Sequence, residues 1–108
     1  MNRDDLMFRD GLLTGERILV TGGGTGLGKV MAEAFLMLGA DVYICGRRGA
    51  VVEETAAELV AAHGGRMTGL ACDIRDTASI EAMIETIWAD GGALTGLVNN
   101  AAGNFVSR

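Results

Sequence analysis

The feature that most constrains this chain is the run Thr21-Gly22-Gly23-Gly24-Thr25-Gly26-Leu27-Gly28, set directly behind the apolar segment Ile18-Leu19-Val20. Glycine reaches φ > 0 at no steric cost and carries no Cβ, so such a run turns the chain sharply and lets backbone N–H groups approach an anion. Placed between a buried strand and an amphipathic helix, it has the arrangement that meets a dinucleotide pyrophosphate at a helix N-terminus. The same residues, Gly23 to Lys29, also spell the GxxxxGK of a triphosphate-binding loop. Val30 then stands where that loop needs Ser or Thr for Mg²⁺, which argues against triphosphate hydrolysis.

The rest of the chain repeats this strand-then-helix pattern. Apolar runs Ile18 to Val20, Val42 to Cys45, Met67 to Cys72 and Leu94 to Val98 recur at roughly 24 to 27 residues and read as four buried strands. Between them, Leu27, Val30, Met31, Ala34, Phe35 and Leu38 fall on one helical face, as do Val52, Ala56, Leu59 and Val60, then Ile80, Met83, Ile84 and Ile87. Gly39, Gly64-Gly65 and Gly91-Gly92 follow the three helices where a left-handed C-cap belongs, and Asp76 is placed to N-cap the third. Short, nearly all-apolar strands joined by helices imply a doubly wound α/β parallel sheet covered on both faces.

Net charge −5 argues against non-specific nucleic-acid or anionic-membrane binding, which needs a basic stripe, so an anionic ligand has to be held locally. No apolar stretch approaches the ~20 residues of a membrane span, and Met1-Asn2-Arg3-Asp4-Asp5 does not open a secretory leader. Cys45 and Cys72 end two apolar runs without metal-ligand spacing; they read as core thiols of a reduced, cytoplasmic protein with no metal site.

Local chemistry sharpens the cofactor. The second strand ends Cys45-Gly46-Arg47-Arg48, where a free ribose 2′-hydroxyl would be met by Asp or Glu. Two guanidiniums hold a 2′-phosphate instead, favouring NADP over NAD; the alternative is a solvated helix entrance. Asp41 begins its strand, too far from the glycines to read a ribose, and reads as a solvated turn residue. Asp73 either accepts from an adenine amino group or caps a helix. His63 is expected to sit on a helix C-terminus with no coupled carboxylate, Lys29 in solvent, and Trp88 with the methionines in the core.

TGGGTGLG (Thr21 to Gly28) fits the TGxxxGxG pattern, and Asn99-Asn100-Ala101-Ala102-Gly103 looks like the NNAG motif of the short-chain dehydrogenase/reductase family. With Cys72-Asp73-Ile74-Arg75-Asp76 and the extended NNAAGNF, the chain resembles the 2,4-dienoyl-CoA and trans-2-enoyl-CoA reductase branch from about Phe8 onward. That resemblance implies a Rossmann sheet of order 3-2-1-4, truncated here after its fourth strand. Residues 1 to 108 would then be the N-terminal dinucleotide-binding part of one domain.

The resemblance implies that Gly22, Gly24, Thr25, Gly26, Leu27 and Gly28 cradle the pyrophosphate and adenosine ribose and that Arg47 and Arg48 take the 2′-phosphate. Asp73 and Ile74 would take the adenine, and Asn100, Ala101 and Gly103 would line the path to the nicotinamide. Arg75 and Phe105 would contact an acyl-CoA substrate.

The family's Ser, Tyr-x-x-x-Lys and Asn come later than its NNAG segment, so no catalytic residue is expected in this stretch. Tyr43 has no lysine four residues on, and Ser107 lies too early. The expected partners are a C-terminal remainder of the same protein, covering the apolar fourth strand, and further copies in a tetramer or dimer. Taken alone, the stretch would be a non-catalytic dinucleotide-binding module, and another carbonyl or oxoacyl-thioester reductase fits the same motifs.

Overall fold

The computed structural model describes residues 11–100 and places in them β1 (Arg17–Thr21), α1 (Gly26–Met37), β2 (Asp41–Gly46), α2 (Gly49–His63), β3 (Arg66–Ala71), α3 (Thr77–Gly91) and β4 (Gly96–Asn99). The strands form one parallel sheet in the order β3-β2-β1-β4, as the sequence leads one to expect.

The alternation along each strand sorts side chains onto two faces. Ile18 and Val20, with Val42 and Ile44, pack under α1 and α2 against Ala32, Leu36, Val52, Ala56 and Leu59. Leu19, Tyr43 and Cys45 face the other way, with Cys72, Met83 and Ile87, under α3. Because both faces are covered, β1 and β2 read in sequence as continuous apolar runs. The described residues contain no helix long and apolar enough to cross a membrane.

Helix ends follow the expected chemistry. Gly39, Gly64 and Gly92 have φ of 102°, 76° and 92°, and the Asp76 carboxylate accepts from the Ala78 N–H at 3.1 Å at the start of α3. Both thiols are buried as expected.

Five expectations need correcting. The third strand begins at Arg66 and ends at Ala71, and the fourth runs from Gly96 to Asn99 rather than from Leu94 to Val98. The buried stripe of α1 is Gly28, Ala32 and Leu36, while Leu27 and Val30 are exposed. Size decided that orientation: α1 lies so close to the sheet at its start that only small residues fit there, whatever the count of large apolar ones. Trp88 is 58% exposed and not in the core, because Met83 and Ile87 mark the face that α3 turns to the sheet.

His63 is coupled to a carboxylate after all, its Nε2 lying 2.7 Å from Glu33 Oε2 and tying α2 to α1. Asp41 is no solvated turn residue either. It lies 3.6 Å from Arg17 Nε and 3.8 Å from Arg66 in a cluster at the amino ends of the strands. In the same cluster Arg17 donates to the Tyr43 hydroxyl, which donates to Asp90, and Arg66 also pairs with Asp90. Such partners, separated by 24 to 47 positions in the chain, are brought together by the sheet alone.

Candidate functional site

Parallel strands put their carboxyl ends on one side, so Thr21, Gly46, Ala71 and Asn99 emerge together. The strand order reverses between β1 and β4, the point at which open parallel sheets leave a crevice above the strand ends. The glycine run departs from β1 there.

Its glycines answer different steric demands. Gly22, at φ 69°, needs the left-handed conformation, and its N–H donates to Cys45 O at 2.9 Å. A Cβ on Gly23 would lie 2.5 Å from Ile44 Cγ2, and one on Gly28 would lie 2.2 Å from Gly22 O. Gly23 thus lets the turn rest on β2, and Gly28 lets α1 begin against the turn. Thr25, the N-cap residue of α1, makes no side-chain cap hydrogen bond, and no acidic residue sits in the first turn. The positive end of that helix is therefore left unneutralised by the protein's own side chains.

A cavity of about 480 Å³ continues from Gly22 over Cys45, Gly46 and Arg47 to Cys72, Asp73, Ile74 and Arg75. An adjoining one of about 400 Å³ shares Gly22, Cys45, Gly46 and Arg47, and reaches Gly24, Thr25 and Arg48. Together they form a single trough from the glycine turn to the loop after β3. Arg47 and Arg48 are exposed at its rim, Arg48 being the N-cap residue of α2. The pair stands at a helix entrance, one of the two readings the sequence offered, and that entrance borders the trough.

Asp73 and Arg75 form one unit of the trough wall. The carboxylate accepts from the Arg75 N–H at 3.0 Å and from its guanidinium at 3.1 and 3.3 Å. Those hydrogen bonds, helped by the charges of Arg75 and Arg47, hold the Asp73 carboxyl below the usual carboxylate range. Asp73 therefore stays an ionised acceptor, and capping of α3 falls to Asp76.

Asn100 lies against the turn from the β4 side. Its N–H donates to Thr21 Oγ1 at 2.8 Å, the Thr21 hydroxyl lies 3.0 Å from Asn99 Oδ1, and Asn100 Nδ2 would be 2.8 Å from a Cβ on Gly28. Ala101, Gly103 and Phe105 fall outside the described residues.

Three supporting residues escape sequence reasoning. Thr21 fastens β4 to β1, Ser79 Oγ accepts the Asp73 N–H at 3.0 Å, and Thr55 Oγ1 donates to Gly24 O at 3.1 Å. A threonine within a helical pattern carries no mark of its partner 31 positions away. Among the described residues, no three His, Cys, Asp or Glu side chains gather to hold a metal.

This geometry has counterparts among known proteins. A family model described as "short chain dehydrogenase" matches residues 16–107. A Caenorhabditis elegans protein named "Probable 2,4-dienoyl-CoA reductase 3 [(3E)-enoyl-CoA-producing]" is 44% identical over 101 residues, 93% of this chain and 33% of that protein. The solved citronellol catabolism dehydrogenase of Pseudomonas aeruginosa PAO1 is similar with TM-score 0.82 and 41% identity, over 86% of this chain and 38% of that one. L-Sorbose reductase from Gluconobacter frateurii, solved with NADPH and L-sorbose, gives TM-score 0.83 at 27% identity, over 93% and 38%. The chain spans about a third of the length of the curated relatives it matches.

Proposed function

The chain belongs to the short-chain dehydrogenase family, and on that premise we propose that it is the NADP-binding part of a reductase acting on an enoyl- or dienoyl-CoA. The observation that carries the cofactor reading is the trough itself. A turn that tolerates no Cβ and an unneutralised helix start lie at one end, two guanidiniums on its rim, and a fixed carboxylate at the other end. That order matches a pyrophosphate, a 2′-phosphorylated ribose and an adenine laid along the strand ends.

In this reading the residues divide the ligand among them. Gly22, Gly24, Thr25, Gly26, Leu27 and Gly28 surround the pyrophosphate, where the N-terminus of α1 supplies backbone donors. Arg47 and Arg48 meet the 2′-phosphate, which a guanidinium can engage through two parallel hydrogen bonds. Asp73 and Ile74 bound the adenine, with Arg75 orienting the carboxylate. Asn100 begins the path toward the nicotinamide, continued by Ala101 and Gly103. Arg75 and Phe105 are the acyl-CoA contacts that the resemblance implies, and the pairing of Arg75 with Asp73 supports a cofactor-side role for this arginine first.

The nicotinamide supplies the hydride when bound, while this stretch binds and orients its carrier. Tyr43 is not the proton donor for that transfer, since its hydroxyl is bound between Arg17 and Asp90 in the amino-end cluster. The exposed edge of β4 supports further strands beside these four. Leu97 of β4 is 63% exposed on an edge with no neighbour among the described residues, as befits a central strand of a longer sheet. We assign that covering role to a further segment of the same protein.

The cofactor assignment is tested by titrating NADPH and NADH into the protein and into its Arg47→Ala, Arg48→Ala double variant. NADPH affinity is expected to fall tenfold or more with NADH affinity nearly unchanged, since only the former carries the 2′-phosphate; unaltered NADPH affinity refutes the assignment. NADPH consumption with 2,4-dienoyl-CoA, trans-2-enoyl-CoA and 3-oxoacyl-CoA by the protein including its further strands tests the substrate. No consumption with any of them refutes the acyl-CoA substrate and leaves another carbonyl substrate or a binding module.

A further inference from the structure

We propose that Thr55, on α2, is a positioning residue for the glycine turn. Its hydroxyl, by holding the Gly24 carbonyl, aims the Thr25 N–H into the trough and makes pyrophosphate binding depend on α2. This deepens the cofactor reading above and rests on it.

Thr55 is 6% exposed, and its Oγ1 lies 3.1 Å from Gly24 O. A peptide unit is planar and trans, so the Gly24 C=O and the Thr25 N–H point in opposite directions. With the carbonyl drawn back toward α2, the N–H is turned away from it, and no acceptor among the described residues takes that donor. Thr25 stands at the start of α1, where the donors not used within a helix are available to an anion. The turn has little else to fix this peptide. Gly24 and Gly26 carry no side chain, Gly26 is at φ 61°, and around Gly24 a Cβ would already meet Val51 and Val52 of α2 at 3.1 and 3.3 Å.

Arg48 is the N-cap residue of the same helix and Arg47 the residue before it, so α2 has the 2′-phosphate cations at its entrance and the hold on the pyrophosphate peptide about two turns in. Two subsites of one ligand are thereby set by one rigid element. A site whose donors are pre-aimed avoids the ordering cost of binding, which is where the hydroxyl contributes.

The test compares Thr55→Val, which keeps the shape and removes the donor, with Thr55→Ser, which restores it. NADPH and adenosine 2′-phosphate are titrated into the full chain, and the Thr25 amide is followed by two-dimensional ¹⁵N–¹H NMR. Adenosine 2′-phosphate probes Arg47, Arg48 and Asp73 without a pyrophosphate.

For Thr55→Val we expect NADPH affinity to fall about tenfold, adenosine 2′-phosphate affinity to stay within about twofold, and the NADPH-induced shift of the Thr25 amide to shrink. Thr55→Ser should recover at least half of the lost affinity on a logarithmic scale, which also holds the proposal to account if the valine variant is poorly folded. Unchanged NADPH affinity in Thr55→Val overturns the proposal, as does equal loss of both ligands, which marks collapse of α2. A wild-type chain that binds adenosine 2′-phosphate and not NADPH overturns it too, leaving the Arg47 and Arg48 assignment standing. Binding of neither removes the cofactor reading itself.

Discussion

Gly28 sets two well-known effects against each other, and their magnitudes differ enough to decide between them. It lies inside α1, where replacing glycine by alanine ordinarily stabilises a helix by about 0.5–1 kcal/mol through lost backbone freedom in the unfolded chain. A Cβ at that position would lie 2.2 Å from Gly22 O, 2.9 Å from Gly22 C and 2.8 Å from Asn100 Nδ2. The first two are backbone atoms, and Gly22 is held by its own hydrogen bond to Cys45 O at 2.9 Å. Neither partner can rotate away, so α1 has to withdraw by about 1 Å to restore van der Waals contact. Forcing extra volume into a packed interior costs about 1–3 kcal/mol.

The net expectation for Gly28→Ala is destabilisation of about 1–2 kcal/mol, with the glycine turn displaced and NADPH binding weakened at least tenfold. Gly26→Ala is the control. It sits at φ 61° with nothing within 4 Å of its Cβ, so it carries conformational strain of about 1–2 kcal/mol and no clash. Urea unfolding followed by far-UV circular dichroism measures both variants, and NADPH titration measures their ligand binding. A Gly28→Ala protein more stable than wild type, as helix propensity alone requires, refutes the close-approach argument.

Two further outcomes follow from the groups beneath the sheet. Burial, first, and the hydrogen bond to Asp90 push the Tyr43 phenol up to about 12, while that same hydrogen bond and Arg66 lower the Asp90 carboxyl. The stability the neutral phenol contributes is therefore complete below its ordinary value near 10 and is lost as pH rises toward 12. The Asp90 contribution is present above the ordinary carboxylate range and fades as pH falls through its lowered value. Tyr43→Phe should melt lower than wild type by an amount equivalent to about 1–2 kcal/mol at neutral pH, with the gap narrowing as pH rises from about 10 toward 12; a pH-independent gap counts against the linkage. Burial also raises the Cys45 thiol to about 11, so N-ethylmaleimide at neutral pH should modify Cys45 only as fast as the chain unfolds. Prompt Cys45 labelling of the native protein, read by peptide mass spectrometry, contradicts its place in the core.

Much of this protein is legible in its sequence, because its strands and turns are written in local chemistry. The continuous apolar runs around Leu19 and Tyr43 announce a sheet buried on both faces, and the glycine run between a strand and a helix announces a sharp anion-accepting turn. Asp76 and the glycines behind each helix could be named as caps because a cap acts within a few residues of itself. The strand order came with the family resemblance carried by TGGGTGLG and NNAAG. Arg47, Arg48 and Asp73 were named because they follow strands whose ends share one edge.

What lay beyond reach depends on partners distant in sequence or on size rather than polarity. Periodicity weighs Leu27 and Val30 as core, but packing weighs the room beside Gly22 and turns Gly28 and Ala32 inward instead. Asp41 and His63 look solvated until the fold sets Arg17 and Arg66 beside one and Glu33 beside the other. Thr55 has no signature at all until α2 folds back over the turn. Sequence alone determined which backbone conformations the chain can adopt and where anionic chemistry belongs. Only the tertiary structure decided which face is buried and which distant group aims the site, because steric exclusion and hydrogen-bond partnership act through space, between segments whose separation along the chain says nothing of their contact.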